Sequence, residues 1–247
     1  MRRILVVAVV SIIAASHASA ADLPVRPAPA YYPVATVYDW GGGYIGINSG
    51  GYAFGQSEWS DPHNPSHLSS TGNFNVNGAL VGGTMGVSGQ FGAWVVGVEG
   101  DFDWQNPSGT SSSAFCTSRF IGAKAAGLSC KTASNWLGTF RARFGYAWDR
   151  VLLYGTAGGA GVNVQTSLNG LPAQTNPEFG WTVGGGLEWA FADNWTAKVE
   201  YLFVDLAQNA ACNHGYSCGF DKAANANDVV KLNENIIRVG VNFKFGH

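Results

Sequence analysis

The chain holds 247 residues with 34 glycines, 13% aromatic and only 12% charged side chains, and its formal charge is −2. Glycine at about twice its usual share, and charge at about half, exclude a disordered segment, which lacks aromatics and carries high net charge. They also exclude an ordinary helical domain, where each glycine costs about 1 kcal/mol, and collagen, since no three-residue glycine period runs through the chain.

Residues 1–20 read MRRILVVAVVSIIAASHASA, with Arg2 and Arg3 before an apolar run at 4–15 and small residues at Ala18, Ser19 and Ala20. That is the pattern of a cleaved secretory signal, and the run is too short to span a bilayer as a retained anchor. Cleavage before Ala21 leaves 12 basic and 16 acidic side chains, without the basic footprint that nucleic acid requires. No later stretch is long and apolar enough to form a transmembrane helix. Residues 21–39 carry Pro24, Pro27, Pro29 and Pro33, which favour extended chain and cannot complete a sheet ladder, so they read as a periplasmic linker before a domain spanning 40–247.

From there the sequence alternates at period two. Segments 43–54 and 75–90 are weaker examples; 94–104 is clear, with Trp94, Val96, Val98, Phe102 and Trp104 on one face and Glu99, Asp101 and Asp103 on the other. Segment 134–148 sets Trp136, Phe140, Phe144, Tyr146 and Trp148 against Thr139, Arg141 and Arg143. Segments 151–164, 179–191 (with Glu188), 195–203 (with Lys198 and Glu200) and 236–245 (with Arg238 and Lys244) continue the pattern to an even count of eight.

Short turns at 89–92, 149–150 and 192–194 alternate with long polar loops at 55–73, 106–133, 166–177 and 208–233. An outer-membrane barrel needs this asymmetry, along with strands of about ten residues and tryptophans at both rims. A soluble sandwich or lipocalin-like barrel would turn its polar face outward, and that face would carry many more charges than this one, which is mostly Gly, Ser, Thr and Asn. The fold expected is therefore all-β: an eight-stranded antiparallel transmembrane β-barrel in a bacterial outer membrane.

Charges on the inner face balance in sign: Glu99, Asp101, Asp103, Glu188 and Glu200 against Arg141, Arg143, Lys198, Arg238 and Lys244. A barrel of eight strands is just wide enough for side chains to fill it, and buried charges there must pair. The expectation is an interior network of ion pairs that plugs the lumen, with a selective ion path as the functional alternative. Strand adjacency directs Arg141 and Arg143 towards Glu99, Asp101 or Asp103, and Arg238 towards Lys198 and Glu200.

Four cysteines in an exported chain point to disulfides, for which Cys116 with Cys130 and Cys212 with Cys218 is the local pairing among three arrangements; no CxxC knuckle supports zinc. Catalysis finds little support. His63, His67, His214 and His247 fall in loops or at the terminus, the glycines of 155–161 precede no helix, and Asp101 and Asp103 face arginines. No metal or cofactor is expected.

The export segment ending ASA-ADLPVR, then Tyr38-Asp39-Trp40 and Gly43-Tyr44-Ile45-Gly46-Ile47-Asn48, resembles the start of the small outer-membrane immunogenic proteins of alphaproteobacteria, within the opacity-protein and OmpA-like porin superfamily. Near the end, Gly240, Phe243 and Phe245 resemble the assembly signal of outer-membrane barrels, although Gly246 and His247 follow where that signal ends on its aromatic. The resemblance implies an OmpA/OmpX-like surface barrel, often labelled a porin, without catalytic residues. It also implies lipid and lipopolysaccharide around the barrel, the barrel assembly machinery as folding partner, and host or environmental surfaces met by the loops. The expected role is envelope integrity and surface contact; a narrow pore for ions or small solutes is the alternative, and a soluble periplasmic barrel the more distant one.

Overall fold

The computed structural model describes residues 37–60, 70–114, 116, 129–168, 174–210 and 229–245. The signal at 1–20, the proline-rich 21–36, Cys212, Cys218, the four loop and terminal histidines and part of each long loop lie outside the described residues. Among the described residues there are ten strands: β1 (Gly42–Ser60), β2 (Phe74–Val76), β3 (Ala79–Phe91), β4 (Trp94–Gln105), β5 (Ser108–Ser111), β6 (Cys130–Trp148), β7 (Val151–Leu168), β8 (Gln174–Ala190), β9 (Trp195–Ala210) and β10 (Val229–Phe245).

Eight of them close into an antiparallel barrel in the order β10-β9-β8-β7-β6-β4-β3-β1, with β1 returning to β10. The closing seam pairs Gly43 with Phe245, Ile47 with Val241 and Gly51 with Ile237. The short β2 and β5 pair with β1 and β6 and carry β3 and β4 onward past breaks at Gly78 and Pro107, where Asn77 bridges Ser108. Each of the eight barrel strands thus pairs on both sides, as a barrel in hydrocarbon requires.

The strands run well beyond their expected ends. The ends of the segments read from sequence as the loops 55–73, 106–133, 166–177 and 208–233 are ladder: β1 continues to Ser60, β6 begins at Cys130, β7 reaches Leu168, and β9 and β10 extend to Ala210 and back from Val229. About ten residues suffice to cross the bilayer. Beyond that height both faces meet water or polar neighbours, so period-two alternation fades while pairing continues.

The outward face is apolar, with Ile45, Met85, Phe140, Phe144, Leu153, Val199 and Val239 all exposed. Rings cluster near both rims: Trp94 stacks on Phe144, and Trp195 meets Phe243 at one end, while Phe102 stacks on Trp136 and Trp181 meets Phe203 at the other. Trp94 and Trp104 are ten residues apart on β4. At about 3.3 Å per residue and about 40° of tilt this is about 25 Å along the axis, the height of an outer-membrane apolar band.

Glycines divide by face. A Cβ on the inward-facing Gly180 would lie 2.0 Å from the Asp205 carbonyl oxygen, while one on the outward-facing Gly159 would meet nothing nearer than 3.9 Å. Strong inward curvature thus depends on missing side chains. Gly180→Ala should lower barrel stability by about 2 kcal/mol or more, the cost of forced backbone displacement, while Gly159→Ala should change it by under about 0.5 kcal/mol. Urea unfolding of the refolded barrel measures both.

The Cys116–Cys130 disulfide joins the chain after β5 to the first residue of β6. It ties the loop base to the barrel rim and restricts the unfolded chain.

Candidate functional site

The lumen is layered. Its middle is a belt of buried charge supplied by every second residue of β4, β6, β8, β9 and β10. Glu99 and Arg141 are direct cross-strand partners, as are Glu200 and Arg238. Arg141 donates through Nη2 to Glu99 Oε1 at 2.5 Å and Asp101 Oδ2 at 2.6 Å, and through Nη1 to Glu200 Oε1 at 3.0 Å and Thr156 Oγ1 at 3.1 Å. Arg238 donates through Nε to Glu200 Oε2 at 2.7 Å, through Nη2 to Asp101 Oδ1 at 2.9 Å, and through Nη1 to Asp103 Oδ2 at 3.1 Å. Lys198 crosses the lumen to Glu99 Oε2 at 3.0 Å.

Arg143 sits opposite Gly97, pairs with Glu188 and keeps its Nη1 3.9 Å from Glu99 Oε2 on β4. Its guanidinium lies 3.7 Å from the centre of the Tyr154 ring and donates to the Tyr44 hydroxyl at 3.3 Å; that hydroxyl in turn donates to Glu99 Oε2 at 2.9 Å. Glu188 also accepts from Thr196 and from Asn242 Nδ2. Asp103 pairs across the lumen with Arg238, since Leu137 lies opposite it on β6.

Lys244 stands apart. Instead of a carboxylate it reaches the Asp39 backbone carbonyl at 2.6 Å and lies over the rings of Tyr38 and Trp40. Phe243 and Phe245, read from sequence as an assembly signal, contact each other on the outer face, and Gly240 pairs with Asn48 across the seam and with Lys198 on β9.

Two apolar layers flank the belt. Towards the long-loop end, Val76, Leu80, Leu137, Ala160, Val162, Val164, Leu202, Val204, Leu206, Leu232 and Ile236 form one buried cluster. Above it Trp59 is buried and donates through Nε1 to Thr132 Oγ1 at 2.8 Å. Towards the short-turn end, Tyr38, Trp40, Val95, Ala147, Leu152, Tyr154 and Ala190 form the second cluster. There burial pushes the Tyr38 hydroxyl up to about 12, the Glu188 charge adding to the effect and Arg150 opposing it.

Tyr44 and Thr156 escaped the sequence reading as members of this network, although they lie on the same alternating face as the charges, as do Thr139, Thr196 and Asn242, and that register was the available signal. The inward apolar cluster gave none, because Leu152 and Leu153 or Val162 and Val164 make β7 apolar on both faces or continuously so inside.

A family described as outer membrane protein beta-barrel domain matches residues 5–245. The 31 kDa outer-membrane immunogenic protein of Brucella melitensis biotype 1 is 35% identical over 252 residues, 94% of this chain and 95% of that protein. The 25 kDa outer-membrane immunogenic protein of Brucella canis is 32% identical over 221 residues, 89% and 85% of the two. Among solved structures, the Escherichia coli outer membrane protease OmpT superposes with a TM-score of 0.50 over 85% of this chain and 99% of that one at 10% identity, a likeness of fold alone.

Proposed function

Because this chain belongs to the outer membrane β-barrel domain family, and so resides in the bacterial outer membrane, we propose that it is a sealed structural barrel that supports envelope integrity and presents surface loops, without catalysis and without solute flow. The observation that carries this reading is the apolar layer above the belt. Leu137, Val162, Leu202, Val204 and Ile236 each show 0% exposure at its centre. An ion crossing it would shed its water against hydrocarbon, and dewetted constrictions of this kind close pores. The belt beneath then serves as packing: each guanidinium has carboxylates in reach, so the charges hold opposite walls together at little net cost.

Envelope lipid and lipopolysaccharide surround the apolar band in this reading, the assembly machinery receives the strand bearing Phe243 and Phe245, and the mature chain begins at Ala21. The Brucella relatives are named outer-membrane immunogenic proteins, which supports the reading that the loops of this chain meet antibodies and foreign surfaces. The narrow pore is the second reading, favoured by the charged belt alone.

A strain deleted for the gene separates the two. It should become sensitive to detergent and to large antibiotics, and regain resistance from a copy whose loops and barrel are intact. Unchanged detergent resistance together with slower uptake of small solutes would overturn the structural role.

A further inference from the structure

The residues just ahead of β1 do not behave as a linker. Tyr38 and Trp40 are 6% and 3% exposed and form part of the lower apolar cluster with Leu152, Tyr154 and Ala190. Backbone and side chain both hold them. The Tyr38 amide donates to Asp149 Oδ1 at 3.0 Å, Trp40 Nε1 donates to the Asp149 carbonyl at 2.9 Å, and the Trp40 amide donates to Gln90 Oε1 at 2.6 Å. Lys244 Nζ fastens the same segment to the last strand through the Asp39 carbonyl, and Arg150 lies 5.6 Å from the centre of the Tyr38 ring.

Two backbone features shape the join. Asp39 Oδ1 accepts the Gly41 amide at 2.8 Å, and Gly42 takes φ 108, a region open to glycine, where the chain turns into β1. The receiving side is just as specific. Asp149 is the non-glycine residue with positive φ among those described, at 50°, in the two-residue turn between Trp148 and Val151. A turn with positive φ at its first position takes glycine, asparagine or aspartate. Glycine would bring no side-chain acceptor, whereas here Asp149 Oδ1 and the Asp149 carbonyl oxygen both accept from the incoming segment.

We propose that residues 38–40 are a periplasmic stopper: a plug of two aromatic rings, docked on the Asp149 turn and clamped by Lys244, that shuts the lower mouth and keeps periplasmic water from Arg143 and Glu188. The stopper goes beyond the sealed-lumen reading, which rests on the apolar layer at the other end. Its failure would leave any conductance result untouched.

The test is access. Ala190, at 0% exposure, lies behind the rings, and Ala190→Cys adds one sulfur atom. The full-length protein carrying that change, refolded in detergent with its native disulfide, is exposed to a charged maleimide, and labelling at position 190 is followed by peptide mass spectrometry. Heat-modifiable gel mobility reports that each variant has closed its barrel.

With the native segment, labelling at 190 should be slow. Trp40→Ala should speed it about a hundredfold, as loss of a buried indole implies. Asp149→Gly relaxes the turn but removes one acceptor, and should speed labelling about tenfold. Asp149→Asn keeps an oxygen acceptor and tolerates the left-handed region, so it should stay within about twofold of the native rate. Labelling with the native segment as fast as in Trp40→Ala would show that nothing closes the mouth. Asp149→Gly as slow as native would make Asp149 a turn residue only, and either result overturns the proposal. Should Trp40→Ala fail to close its barrel, the Asp149 pair still decides.

Discussion

Arg141→Met should lower the unfolding free energy of the refolded barrel by about 3–5 kcal/mol, the penalty for stranding buried charge. Arg141 is fully buried and serves Glu99, Asp101 and Glu200 at once. Without it those carboxylates keep Lys198, Arg238 and the more distant Arg143, and the surplus negative charge sits in a water-poor interior. Coulomb repulsion is strong at such distances and low dielectric. Arg150→Met is the internal control. Its pair with Asp193 lies at the rim, with side chains 44% and 79% exposed, so water and salt already screen it and the loss should stay under about 1 kcal/mol. Urea titration of both variants in the same micelle gives the difference directly. Equal losses would mean that the belt contributes no more than a surface pair.

The second large effect concerns the apolar layer. Leu202→Ala should cost about 2–5 kcal/mol, since a fully buried leucine leaves a cavity that strands cannot collapse to fill. Leu153, 52% exposed on the outer face, offers the comparison. Leu153→Ala should cost about 1 kcal/mol or less, because acyl chains are as apolar as leucine and fill the vacated space. The pair distinguishes a packed interior from a wet one. In a water-filled lumen the order reverses, since removing an inward leucine would relieve exposed apolar surface.

How much of this the sequence carried depends on which neighbours set each feature. Inner and outer faces were legible because alternation records burial residue by residue, as in Phe140, Arg141, Ala142, Arg143 and Phe144. Strand adjacency was legible too, and it places Glu99 beside Arg141 and Glu200 beside Arg238. Contacts across the lumen were not. Lys198 faces Glu188 in the ladder yet reaches Glu99 on the far wall, and Asp103 finds Arg238 through the interior. Such pairings depend on barrel diameter and side-chain length, which no linear register encodes.

The stopper was hidden for a different reason. Tyr38 falls inside the proline-rich 21–39 and Trp40 at the first position of the domain, ahead of the first alternating residue, so local pattern gives neither ring a partner. Only closure of the barrel brings Asp149, over a hundred positions away, beneath the Tyr38 amide. The upper apolar layer escaped similarly, since strands apolar on both sides, such as β7, do not reveal which side faces the lumen.

Single-channel recording of the refolded, unmodified protein in planar bilayers tests the sealed lumen most directly. A membrane with inserted barrels should hold its baseline, without unit steps, across potentials and salt concentrations that leave it intact. Reproducible unit conductance from the native chain would contradict the seal and make the protein a pore.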